Sequence, residues 1–231
     1  LEEYEKLNPR TTLQHGGLSV VYATPNSTTR WRVESLFQKE PVTIDWIAGF
    51  RETDVLVDVG ANVGMYSVWA AKTRGVRVFA FEPESQNYAL LNRNIHDNGI
   101  AERAVAFCAA LSDVSMFHRL YLSAFEQGGS CHTFGESLDY HGRPLDASFV
   151  QGCYSTTIDA LVAALEAGQV QYIEDVPVPS AQRLSGNAKL KVVDLIRVGR
   201  VPKNLATSPD GRWLLVANWC SWDVTVVDLR K

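Results

Sequence analysis

At 231 residues, with 46% hydrophobic and 21% charged side chains, the composition is that of a folded globular protein and excludes an extended disordered one. A formal net charge of -4 and a pI near 5.8, without any run of Lys and Arg, give no electrostatic footprint for nucleic acid. No apolar run reaches the roughly 18 residues that a membrane-spanning helix needs, so no membrane span is expected.

The chain opens on Leu1 rather than Met, as a fragment or a processed chain would, and residues 1–10 lack the apolar core of a signal peptide. Residues 1–35 are mixed in character; 18–22 form a short β-like run, and His15 stands beside Gly16 and Gly17. From Phe37 the pattern changes. Pro41 suits a first helical position, and Ile44, Trp46, Ile47 and Phe50 supply an apolar side that is predicted to cover the next strand.

Residues 54–83, DVLVDVGANVGMYSVWAAKTRGVRVFAFEP, organise the rest. Val55, Leu56 and Val57 form an apolar strand that hands over at Asp58 to Gly60, Ala61, Asn62, Val63 and Gly64, where small residues let backbone approach a ligand. Met65, Val68 and Trp69 then share one helical face. A second strand, 76–81, ends at Glu82, a carboxylate placed to accept hydrogen bonds from both hydroxyls of a ribose. A bound nucleoside is the first expectation.

Ser85 is predicted to cap a helix whose Tyr88, Leu91 and Ile95 share a face, stopped by Gly99. Residues 104–111, AVAFCAAL, read as a third apolar strand ending in Ser112 and Asp113. Strand, helix, strand, helix, strand is the order of a parallel sheet with right-handed crossovers, which binds ligands at the carboxyl edge of its strands. Residues 119–122 suggest an antiparallel strand, and 125–152 a long polar segment of the kind that forms lids and substrate loops. Thr156 with Asp159 suggests a capping box for a helix bearing Ile158, Leu161, Val162 and Leu165, stopped by Gly168. Composition changes near Val170. Residues 170–189 read as a linker, and 190–198, 203–208, 212–218 and 223–229 as a four-stranded antiparallel meander with turn signals such as Pro209, Asp210 and Gly211.

Two resemblances follow. KEPVTIDWI, DVGANVGMYS, AFEPESQNYALLNRNI, CAALSD, GGSCHTFG and STTIDALV, in that order over about residues 37–168, resemble the FkbM type of S-adenosylmethionine-dependent methyltransferase. That resemblance implies a class I methyltransferase, Rossmann-like α/β fold in residues 1–169, and methylation of a hydroxyl on a sugar or polyketide-like small molecule. It implies that Asp58 and the loop of Gly60, Ala61, Asn62 and Gly64 lie against the methionine and ribose of S-adenosylmethionine. Glu82, with Pro83 beside it, would hold the ribose hydroxyls, and Ala110, Leu111 and Ser112 would flank adenine. The tail over about 191–229, with its SPDG and VAN elements, is similar to one YVTN-type β-propeller repeat, which implies a single blade in 190–231. The methyltransferase pattern departs after residue 168. The family places an acidic strand there, beside the first strand of the sheet, whereas this chain has QYIEDVPVPS, with 172–175 and 192–198 as weak echoes.

A nicotinamide site would need glycine at positions 62 and 65, where the chain has Asn62 and Met65. His118, His132 and His141 have the titration range of a general base, and Asp139 and Asp146 stand near them in sequence, but no spacing singles out a catalytic residue or a metal site. The four cysteines, Cys108, Cys131, Cys153 and Cys220, form no CxxC pair and fit a reducing compartment, hence a cytoplasmic location. Trp213, Trp219 and Trp222 read as core residues of the meander. The leading expectation is an O-methyltransferase. The alternative is a non-catalytic module, a truncated methyltransferase joined to a blade, that self-associates through open strand edges.

Overall fold

The computed structural model describes residues 7–139, 141–166, 202–207, 213–218 and 223–228, the last three stretches by their backbone. The chain divides into two compact units, Leu1–Ser137 with Asp146–Ala188, and Leu138–Leu145 with Lys189–Lys231.

The first unit begins with a hairpin of β1 (Arg10–His15) and β2 (Leu18–Ala23), paired from Arg10↔Ala23 to His15↔Leu18. Gly16 and Gly17 form the two-residue turn with φ of 55° and 81°, and a primed turn of this kind matches the twist of the strands. Of these two strands, only β2 carries a β-like sequence run. Helix α1 (Ser27–Glu34) was not expected, because its sequence is polar and only Thr29 and Val33 are buried. A reciprocal cap fixes it, with Asn26 Oδ1 accepting from the Thr29 amide at 2.8 Å and Thr29 Oγ1 accepting from the Asn26 amide at 3.3 Å. A short helix that was not expected, α2 (Leu36–Lys39), precedes the helix expected to open at Pro41, which is α3 (Pro41–Ala48). Ile47 is fully buried, whereas Trp46 is 41% exposed and stacks edge-on against Phe50.

The central layer is β3 (Val55–Val59), α4 (Met65–Arg74), β4 (Arg77–Phe81), α5 (Ser85–Asp97) and β5 (Ala104–Phe107). The strands form a parallel sheet in the order β3-β4-β5, so the α/β expectation holds. Register pairs Val59 with Phe81 and Phe81 with Phe107, which brings the carboxyl ends of all these strands to one edge. Leu56, Val78, Ala80 and Ala104 face a core shared with Val68, Trp69, Leu91 and Ile95 of the helices. On the other face Phe79 and Phe81 pack with Leu161 and Phe107.

The third strand is not continuous to Leu111: the chain bends at Cys108, and β6 (Ala110–Leu111) leaves the parallel sheet to pair with β9 (Phe149–Thr156). The cap of α5 is Glu84, whose carboxylate accepts from the amides of Gln86 and Asn87 at 3.0 and 2.7 Å, and Ser85 is the first helical residue. The last helix of the unit, α6 (Ile158–Glu166), is capped by Thr157, whose Oγ1 accepts from the Ala160 amide at 3.0 Å, because Thr156 is spent as the end of β9.

A second sheet has the order β6-β9-β7-β8, with β7 (Met116–Leu122) longer than predicted and β8 (Thr133–Phe134) inside the stretch read as irregular. In the other unit, β10 (Pro202–Thr207), β11 (Trp213–Asn218) and β12 (Asp223–Asp228) form an antiparallel meander. The predicted strand at 190–198, the linker at 170–189, the segment 172–175, and Trp219, Trp222 and Cys220 lie outside the described residues.

Candidate functional site

The ends of β3 and β4 are bound to each other. The amides of Gly60 and Ala61 both donate to the Phe81 carbonyl, at 2.9 and 3.0 Å, which turns the chain sharply off β3. Gly60, Asn62 and Gly64 all take left-handed φ, of 73°, 53° and 82°. Glycine accepts that geometry freely and Asn is among the few other residues that tolerate it. A side chain at Gly60 would meet nothing within 4 Å, so open space faces the loop. One at Gly64 would lie 2.4 Å from Leu91 Cδ1, so that glycine lets α4 start tight against α5.

Glu82 is the centre of this edge. It is 4% exposed, and its two carboxylate oxygens accept from the Asn62 amide at 2.7 Å and the Glu84 amide at 2.9 Å. Burial raises its pKa to about 7, against the pull of those amide hydrogen bonds. Asp58 accepts from Ser67 Oγ at 2.5 Å, which ties the end of β3 to α4. Tyr66 hydrogen-bonds Glu40; burial first, then the charges of Glu40 and Asp58, push its phenol well above the usual range, so it stays neutral. Pro83 offers its carbonyl to Gln151 Nε2 at 2.7 Å. Ala110 and Leu111 are paired with Ser155 and Thr156, and the Ser112 amide donates to the Thr156 carbonyl at 3.0 Å. Thus Asp58, Gly60, Ala61, Asn62, Gly64 and Glu82 are brought together, while Ala110, Leu111 and Ser112 stand after β5 with their backbone bonds directed to β9.

Residues outside the expected set close over the loop. Asn62 Nδ2 and Asn87 Nδ2 both donate to the Gly129 carbonyl, at 2.6 and 3.0 Å, and Asn87 Oδ1 accepts from the Gly128 amide at 2.7 Å. Arg32 Nε donates to the Gly128 carbonyl at 2.7 Å, and burial lowers the Arg32 pKa despite nearby Glu82 and Glu40. Asn87 carried a signal in the sequence. It and Asn94 are buried amides on one side of α5, among Leu91 and Ile95, and the Asn98 that caps the end of the helix is buried as well. A polar residue repeated on an apolar helical face implies buried partners. Arg32 carried none, since α1 itself was not legible.

Each candidate base has its own local setting. His118 is exposed on β7 and stacks edge-on against Phe134. His132 Nδ1 accepts from the Ser123 amide at 3.2 Å, its Nε2 is buried without a partner, and burial lowers its pKa. Asp139 closes a local turn by accepting from the amides of His141 and Arg143, both at 2.8 Å, and these bonds hold its pKa low. Among the described residues no group of three or more His, Cys, Asp or Glu is placed to hold a metal ion. None of the described helices is long and apolar enough to cross a membrane.

No family model matches the chain, and no curated protein matches it. Solved structures similar to it include M. jannaschii TYW2 in complex with AdoMet, at 19% identity and a TM-score of 0.34 over 46% of each chain. P. horikoshii TYW2 in complex with MeSAdo is 20% identical with a TM-score of 0.31, over 46% of this chain and 38% of that one. Geranyl diphosphate C-methyltransferase from Streptomyces coelicolor, solved with Mg2+, geranyl diphosphate and S-adenosyl-L-homocysteine, is 21% identical with a TM-score of 0.30, over 39% and 35%. The chain thus spans less than half the length of these structures.

Proposed function

We propose that the first unit binds S-adenosylmethionine at the edge formed by Asp58, the 60–64 loop and Glu82, and transfers its methyl group to a hydroxyl of a small-molecule acceptor. The observation that carries this reading is the buried Glu82 carboxylate at the tip of β4, joined by the Asn62 amide to a loop of left-handed residues. Three further features fit the cofactor. Gly60 faces open space, Asn62 Oδ1 is a buried acceptor that lacks a donor, and the Asp58 carboxylate stands on β3, tied to α4 by Ser67.

The cofactor supplies an already activated methyl group. The chain's own residues would hold it: Glu82 accepts from the ribose hydroxyls, the 60–64 backbone lies against the ribose and methionine, and residues 110–112 flank the adenine. Alignment of donor and acceptor then carries much of the rate, since an enforced near-attack geometry removes the entropic cost of encounter. A hydroxyl on a sugar or polyketide-like molecule is the acceptor class that the FkbM resemblance suggests. Isothermal calorimetry with S-adenosylhomocysteine tests the reading. Well-folded protein that produces no heat of binding would sink it.

A second reading rests on a different observation. Among the described residues β3 is an edge strand, and Val55, Val57 and Val59 are 40%, 38% and 55% exposed along it. An open apolar edge of this kind recruits further strands, which is the behaviour of an assembly module. Sedimentation separates the two: a monomer that methylates an acceptor excludes the module, and a concentration-dependent oligomer that binds no cofactor supports it.

A further inference from the structure

Main-chain groups of the 126–129 segment are held by side chains from separate parts of the fold. Asn26 Nδ2 donates to the Gln127 carbonyl at 2.9 Å, Arg32 Nε to the Gly128 carbonyl at 2.7 Å, and Asn62 and Asn87 to the Gly129 carbonyl at 2.6 and 3.0 Å. The segment packs so close to α1 that a side chain at Gly128 would force its neighbours to shift. A Cβ there would meet Thr29 Cγ2 at 3.0 Å and Thr28 Cγ2 at 3.2 Å, and its φ of +85° favours glycine as well. At Gly129 a Cβ would meet the Glu126 carbonyl at 3.0 Å. Asn62, whose side chain holds this segment, is the residue whose amide holds Glu82 at 2.7 Å.

We infer that Gly128 and Gly129 form a strap, anchored on α1 and α5, that presses Asn62 against the Glu82 carboxylate, so that Gly128 is a positioning residue for the group that receives the ribose. The inference rests on the cofactor reading of this edge. It also makes a statement about Glu82 alone. The groups facing that carboxyl are Arg32 from α1, Glu84 and Asn87 at the start of α5, Cys108 after β5 and Cys153 of β9. The Asn62 amide and the Asn87 side chain are donors to Glu82 that the strap also engages, and both favour the ionised form.

The test is Gly128→Ala in the full chain, with Gly135→Ala as control, because Gly135 has a similar φ of +86° but open space around it. Carboxyl carbon NMR reads the Glu82 titration, and calorimetry reads S-adenosylhomocysteine affinity from about pH 5.5 to about 8.5. In Gly128→Ala, Glu82 titrates about one pH unit higher and affinity at neutral pH falls about fivefold, while Gly135→Ala changes neither. An unmoved Glu82 titration in folded Gly128→Ala overturns the strap. A moved titration in a protein that binds no S-adenosylhomocysteine, wild type included, overturns the cofactor reading and leaves the strap standing. Should Gly128→Ala fail to fold, hydrogen exchange of the wild type decides: equal protection of the Asn62 and Gly128 amides supports the strap, and much faster exchange at Gly128 overturns it.

Discussion

The main-chain amide of Asn62 donates to the Glu82 carboxylate at 2.7 Å, so the glycine loop after β3 and the acidic tip of β4 are one structural unit. Replacement of Glu82 acts on both the ligand group and the loop. Glu82→Gln is expected to fold and to weaken S-adenosylhomocysteine binding by about 1–3 kcal/mol, the worth of charge-assisted hydrogen bonds to the ribose. Calorimetry against the wild type measures it, and equal affinities would remove Glu82 from the site.

The same carboxyl gives the protein a pH dependence. Burial raises its pKa from 4.5 to about 7, so the folded state holds the proton more tightly than the unfolded chain. The stability this contributes is full below about pH 4.5 and is lost as pH rises through about 7, in total about 3 kcal/mol. Urea unfolding at about pH 5 and about pH 8 should therefore show wild type losing stability relative to Glu82→Gln as pH rises. A ribose that donates to the carboxylate favours the ionised form, so cofactor affinity should climb through about pH 7 with release of a proton. Calorimetry in buffers of different ionisation enthalpy detects that proton.

The two loop glycines should fail differently. Gly64→Ala places a methyl group 2.4 Å from buried Leu91 Cδ1 at a φ of +82°, and is expected to cost about 2–4 kcal/mol of stability. Gly60→Ala carries the strain of a φ of +73° but meets no protein atom within 4 Å, so its stability cost is about 1 kcal/mol. Its larger effect is expected on cofactor affinity, since the methyl group enters the open space that the loop presents. Thermal melts paired with calorimetry separate the two.

Asn94 is fully buried and bridges two elements, with Oδ1 accepting from the Ala23 amide at 2.7 Å and Nδ2 donating to the Val63 carbonyl at 2.8 Å. Asn94→Leu leaves a buried amide and a buried carbonyl without partners, and is expected to destabilise by about 2–4 kcal/mol. A melting temperature within error of wild type would show that water replaces both bonds.

Much of the central layer was legible because its signals are local. Val55, Leu56 and Val57 followed by the 60–64 loop, the Met65, Val68 and Trp69 stripe, and Glu82 after an apolar run each lie within a few residues of one another, and their elements appear where expected. Errors fell where a short-range signal competes with a distant partner. Residues 104–111 are uniformly apolar, yet the chain bends at Cys108 because β9, far along the sequence, takes Ala110 and Leu111. Likewise Ser85 has the chemistry of a cap, but the Glu84 carboxylate, also buried, reaches the Gln86 and Asn87 amides.

By itself, then, the sequence determined the order of strands and helices in the central layer and the candidate ligand edge, since hydrophobic periodicity, left-handed loop residues and a terminal carboxylate are properties of neighbouring residues. Only the tertiary structure decided that Glu82 is buried with both oxygens engaged, and that the carbonyls of Gln127, Gly128 and Gly129 are held by Asn26, Arg32, Asn62 and Asn87. Those contacts join residues distant in the chain, and what creates them is the requirement that every buried amide and carbonyl find a partner, which no local pattern encodes.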